Sequence, residues 1–286
     1  MSEVIKLIEA PHLTFSDWNK AFDFLAENEK EIIGKKKSMI HESVHKFKPD
    51  YKYSKNNTNK HLLVNKLDTV KGLINYEDDK YYAIINTTNV LDNHRDVHIN
   101  GIWNKSAREK NRKTYYVFDH ELRTLSIIAK ARDVEIKVIP TTFKDLGYDI
   151  DKNTEALTFI FNKNSVIPKD ADVFLEDDEM QNSIRMRYID AKLCMNSDRI
   201  EHKAYLDNYN KYYDSIANKD DYEDEGLKYF YAVLEAEIVN EGSLVPLGSN
   251  RFTPIKYFKE AAKSTSQDSE PSNDTQIDWN KVINNF

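Results

Sequence analysis

From about residue 61 to 255 the chain is a succession of short apolar runs rich in Tyr, Val, Ile, Phe and Thr. The runs at 80–86, 114–118, 127–131, 134–139, 156–161, 184–195 and 229–238 are built from residue types that favour a pleated, half-buried surface. A helical stretch at 199–218 interrupts them. The pattern predicts an α+β fold whose β-rich core, a barrel or a curled sheet with surrounding helices, occupies 61–263.

The flanks read differently. Trp18, Phe22 and Leu25 recur at spacings of three and four, so 1–50 reads as helical, with Ser16 as an N-cap and Lys48-Pro49 as the stop. Residues 50–60 are polar and read as a linker, which makes 1–60 an N-terminal helical extension. Residues 256–263 read as one helix. The segment 263–276 has no apolar anchor, so 264–286 is expected to be a disordered tail. Its last residues, Ile277-Asp278-Trp279 through Phe286, suit either a short docking motif or a frayed end.

Composition removes several classes of function. Only 7 residues are Gly, and neither G-x-G-x-x-G nor G-x-x-x-x-G-K-[ST] occurs, which excludes the common phosphate-cradling loops. The formal charge of −7 gives no overall basic surface for nucleic acid. Cys194 is the one cysteine, so no internal disulfide is expected. No apolar run approaches the roughly 20 residues that span a bilayer. A cytoplasmic protein with no nucleic-acid or membrane partner is the expectation.

Five segments could carry chemistry. His41-Glu42-Ser43-Val44-His45 is a literal H-E-x-x-H, which on a helix sets two imidazoles for zinc with the Glu as general base. Lys35-Lys36-Lys37 before it and Lys46 after it argue against a buried zinc helix. A zinc metallopeptidase built on His41 and His45 stays a minor alternative. In Asp92-Asn93-His94-Arg95-Asp96-Val97-His98 the two Asp and two His alternate, which on a strand would put all four on one face for a metal. A solvated loop satisfies the same pattern and is the preferred reading. His120 follows an aromatic strand, between Asp119 and Glu121, either of which could orient it. On a strand, Ser183, Arg185 and Arg187 share one face and Ile184, Met186 and Tyr188 the other. A serine beside guanidiniums suits acyl transfer, the hydroxyl attacking and the cation stabilising the oxyanion. Finally, 235–241 reads as a strand that runs into a Gly242-Ser243 turn, with carboxylates able to orient a histidine.

Taken in order, these segments resemble the tailed-phage prohead protease family, whose fold is shared with herpesvirus assemblin. Asp92, Asp96, Gly101 and Trp103 are similar to the family's opening Asp, Asp, Gly and aromatic. Phe118-Asp119-His120 is similar to its strand ending in the catalytic histidine, although the family's Asp usually follows the His. Ser183-Ile184-Arg185-Met186 is similar to its nucleophile strand, with Arg185 in place of a glycine. Glu241-Gly242-Ser243-Leu244-Val245 and Asn250 are similar to its closing segment. The likeness covers about 80–255.

The resemblance implies an assemblin-like fold and a serine endopeptidase that needs no metal or organic cofactor. Ser183 would be the nucleophile and His120 the general base. The third member would be Glu241, with Glu237 as a second choice, or His202 if the assemblin arrangement holds. Arg185 and Arg187 would serve the oxyanion and substrate. The implied setting is the assembling procapsid in a host cytoplasm. There the protein would self-associate, and would cleave the scaffold or major capsid protein and then itself. A catalytically inactive, structural descendant of the same fold is the main alternative.

Overall fold

The computed structural model describes residues 4–42, 76–222 and 226–257. The chain opens with a hairpin, β1 (Ile5–Leu7) and β2 (Ala10–Phe15), antiparallel. Helices α1 (Trp18–Glu27) and α2 (Glu29–Ser38) follow. Residues 5–15 are therefore not helical. Pro11 lacks an N–H and would clash inside a helix, whereas a two-stranded edge tolerates it. The cap of α1 is Asp17 and not Ser16: the Asp17 carboxylate accepts from Lys20 N at 3.0 Å, while Ser16 Oγ donates to that carboxylate.

Ala21, Phe22 and Leu25 of α1 and Ile32 of α2 are buried against Leu193, Met195, Tyr229 and Tyr231. That shared apolar cluster seats residues 5–38 on the strands that carry Leu193, Met195, Tyr229 and Tyr231. Such burial is the main stabilising contribution available to helices only ten residues long.

The remaining elements are β3 (Lys80–Thr87), β4 (Asp96–His98), α3 (Asn104–Lys110), β5 (Tyr115–Phe118), β6 (Ile127–Ala129) and β7 (Glu135–Thr142). They continue with β8 (Asn153–Asn162), α4 (Ala171–Leu175), β9 (Gln181–Met195), α5 (Lys203–Tyr212), β10 (Tyr229–Val245) and β11 (Ile255–Tyr257). Sheets dominate a mixed α+β molecule.

One sheet is antiparallel, in the order β11-β3-β8-β7. The other is organised by β10. It pairs antiparallel with β9 along one edge. Its other edge takes β4 at Tyr231–Val233 and β5 at Glu241–Leu244, both parallel, and β6 flanks β5. The core lies between the two sheets: Tyr81, Ile85, Leu157, Phe159 and Phe161 face Tyr116, Ile184, Met186, Ile238 and Leu244. Among the described residues neither sheet closes into a barrel, so the barrel alternative is set aside.

Two details correct the sequence reading. Gly242-Ser243 is not a turn; β10 runs on to Val245. The irregularity sits just before it, where Asn240 adopts a φ of 65° and the β9–β10 register shifts between Ile238 and Gly242, as at a bulge. Residues 255–257, two of them in the expected 256–263 helix, are strand β11, paired with Tyr81–Ala83. Residues 258–263, the expected linker at 50–60 and the expected tail at 264–286 lie outside the described residues.

Candidate active site

The site is built where β5 ends against the far end of β10. Strand β5 stops at Phe118, and the next two residues, Asp119 and His120, both adopt left-handed backbone angles, with φ of 50° and 57°. Each costs on the order of 1–2 kcal/mol for a residue other than glycine, so the surroundings must impose the turn. They do so through β10: Asp119 N donates to Leu244 O and His120 N donates to Ser243 Oγ, each at 3.0 Å. The result folds the imidazole back over β10.

There His120 Nδ1 lies 2.7 Å from Glu241 Oε1. The Glu241 side chain is fully buried and that of His120 is 6% exposed. The other carboxylate oxygen of Glu241 accepts from Ser243 Oγ at 2.5 Å. A buried carboxylate held this way fixes the ring and favours the tautomer with the proton on Nδ1. Nε2 is then the basic nitrogen. It is buried and has no hydrogen-bond partner.

Ser183 stands beside this pair. On β9 it is the register partner of Ser243, so Ser183, Ser243 and Glu241 share one face of the sheet. Gly242 and Ile184, paired with each other between them, face the core. Ser183 is buried. Its hydroxyl is not bonded to His120 Nε2.

The other residues singled out from the sequence are placed elsewhere. Glu237 is held by Lys110 Nζ at 2.6 Å, and that hydrogen bond lowers its pKa. Arg187 is exposed and opposite Glu237. His202 Nδ1 is 2.9 Å from Ser197 Oγ, and its Nε2 is 3.4 Å from Asp23. Of the three carboxylate or histidine candidates for the third position, only Glu241 touches His120. Ser243 was not anticipated as part of the site, although its spacing of two from Glu241 on a strand is the signal for it.

Arg185 meets a segment from the N-terminal region. After α2 the chain runs extended beside β9: His41 N donates to Met186 O at 2.8 Å, and Met186 N donates to His41 O at 2.9 Å. The next residue brings Glu42 Oε2 to 3.2 Å from Arg185 Nε. The His41 ring stacks on Tyr188 at 3.9 Å, its Nε2 lies 2.6 Å from Lys36 O, and burial pushes its pKa down. Helix α2 ends at Ser38, so His41 and Glu42 are not helical, and the arrangement that H-E-x-x-H requires is missing there. His45 lies outside the described residues.

The Asp92–His98 segment is neither a metal site nor a solvated loop. Asp92 Oδ1 accepts from the backbone N–H of His94 and Asp96. Asp96 is paired with Lys36 at 2.6 Å and accepts from Tyr188 Oη at 3.0 Å. His98 sits between Asn86 Oδ1 and Tyr188 Oη, and Trp103 Nε1 donates to the same Asn86 oxygen. Burial pulls the His98 pKa down to about 4 and pushes Asp92 up to about 6. This buried polar network braces β4 under β9.

Comparisons with protein-family models, with curated proteins and with solved structures find no match. No helix among the described residues is long and apolar enough to cross a membrane.

Proposed function

We propose that the protein is a serine endopeptidase in which Ser183 is the nucleophile, His120 the general base and Glu241 the residue that orients it. The observation that carries this reading is the His120–Glu241 contact at 2.7 Å, with the opposite ring nitrogen buried and unbonded beside the Ser183 strand. Glu241 stabilises the imidazolium that forms when His120 takes the Ser183 proton, and keeps Nε2 aimed for that transfer. The serine oxygen then attacks the scissile carbonyl. His120 returns the proton to the leaving amine, and water resolves the acyl-enzyme by the same route. Arg185, on the same face of β9 as Ser183, offers a cation for the oxyanion or for an acidic substrate group.

The order of the Asp92, His120, Ser183 and Glu241 segments supports a tailed-phage prohead protease with an assemblin-like fold. The substrates are then scaffold and major capsid protein inside the assembling procapsid, followed by the protein itself. An inactive structural descendant is the second reading. It is favoured by the missing Ser183–His120 bond and by Arg185 standing where the family has glycine.

Intact mass separates the two. The protein is co-expressed with its neighbouring capsid protein, as wild type and as Ser183→Ala. Truncated masses in the wild type that vanish in the variant are the expected result. Full-length masses in both, even within assembled procapsids, favour the inactive descendant, and truncation that persists in Ser183→Ala overturns the choice of nucleophile.

A further inference from the structure

The same corner holds one carboxylate, Glu42, that the serine mechanism does not use, beside two residues that it does. Glu42, His120 and Glu241 each present one potential ligand atom, all within 4.8 Å of one another. Two of these side chains also carry buried polar atoms with no hydrogen bond: His120 Nε2 and Glu42 Oε2. A neutral imidazole nitrogen that is more than nine-tenths buried and unbonded loses its hydration without compensation. Arg185 Nε, 3.2 Å from Glu42, is likewise without a hydrogen bond, so that contact is one of charge alone. With two carboxylates against one guanidinium, the local balance stays negative and favours a cation.

We propose that His120 and Glu42, braced by Glu241, form a site for a divalent transition metal of the zinc class. Nε2 of His120 and the Glu42 carboxylate are the protein ligands, and water fills the remaining positions. Glu241 holds Nδ1, as a carboxylate does in carboxylate–histidine–metal arrangements, which fixes the tautomer and makes the ring a better ligand. One imidazole with carboxylate oxygens selects zinc, cobalt or manganese over calcium and magnesium. Glu42 also borders a cavity of about 320 Å³, lined in part by Ile32, Met39, His94, Lys35 and Lys36, which leaves space beside its carboxylate.

The metal and the hydrolytic reaction compete for one lone pair. A metal on Nε2 takes the electrons with which His120 would accept the serine proton, and it ties the Met39–Glu42 segment down across Arg185. Occupancy therefore holds the enzyme off, and removal of the metal releases the base. The competition rests on the proposed role of His120; the binding itself does not.

Calorimetric titration of zinc chloride into the full-length Ser183→Ala protein tests the site on an unprocessed chain. One zinc per chain is expected, with no response to calcium or magnesium. Adding Glu42→Gln, which keeps the size and half-exposed setting of that side chain, should weaken binding by at least about tenfold. Adding His120→Asn should abolish it. Circular dichroism establishes that each variant is folded before titration. The absence of saturable zinc binding overturns the site, and so does affinity unchanged by either substitution. Zinc binding by a wild-type chain that stays full-length even after the metal is removed with a chelator leaves the site standing and the peptidase reading fallen; proteolysis lost in Ser183→Ala without zinc binding does the reverse.

Discussion

Glu241 has both carboxylate oxygens committed, one to His120 and one to Ser243, and no exposed surface. Its charge matters more than its shape. Glu241→Gln keeps the shape but offers Nδ1 either an amide oxygen or an amide N–H, so the ring can settle in the wrong tautomer. Processing should fall on the order of 10³- to 10⁴-fold, as expected for a lost triad carboxylate. The rate at which truncated masses appear measures it. A loss under about tenfold would leave Glu241 a bystander, since that is far below what a lost orienting carboxylate produces.

Among elements, β10 does the most. It pairs with three other strands and supplies Glu241 and Ser243 from its far end. Gly242 between them has a specific job. A Cβ there would lie 2.8 Å from the ring of Phe159, which is fully buried on β8. The two sheets approach closely at that point because nothing projects. Gly242→Ala should destabilise the protein by roughly 1–3 kcal/mol through overpacking. Urea denaturation reads this out, and an unshifted midpoint would mean that Phe159 yields.

The strand runs behind β3, β5, β8 and β9 were legible because each is a compact apolar stretch of β-favouring residues. The opening hairpin was not, because Trp18, Phe22 and Leu25 imposed their helical period on a window that began too early. The site was half legible. Residue type marked His120 and Ser183 but could not choose between Glu237 and Glu241, which are four apart and share a face on a regular strand. The choice follows from where β5 docks, Glu241–Leu244, and docking is a tertiary fact. Glu42 was hidden for the same reason: no local pattern says that the chain after α2 runs beside β9.

At the scale of the whole molecule, the buried network around β4 makes stability depend on pH in two opposed ways. His98 has a folded pKa of about 4, below its ordinary 6.5, because burial disfavours its charged form. Its contribution is present above pH 6.5 and is lost as pH falls towards 4. Asp92, at about 6 instead of 3.8, binds its proton more tightly when folded, chiefly through burial, so its contribution grows as pH falls from 6 towards 4. In the wild type the two oppose each other between pH 4 and 6. Asp92→Asn removes one arm and should leave a melting temperature that drops more steeply between pH 6.5 and 4. A slope no steeper than that of the wild type would show that Asp92 is not buried as a proton-binding group.

His120 and Glu241 are 121 residues apart, and the turn that carries His120 is held by Ser243 and Leu244. A ribosome delivers His120, and later Ser183, long before it delivers the strand that positions them. Until β10 has emerged, the nascent chain carries His120 and Ser183 with nothing to align them. On the proposed reading the topology is a timer: the base and the nucleophile are aligned only once β10 has been made.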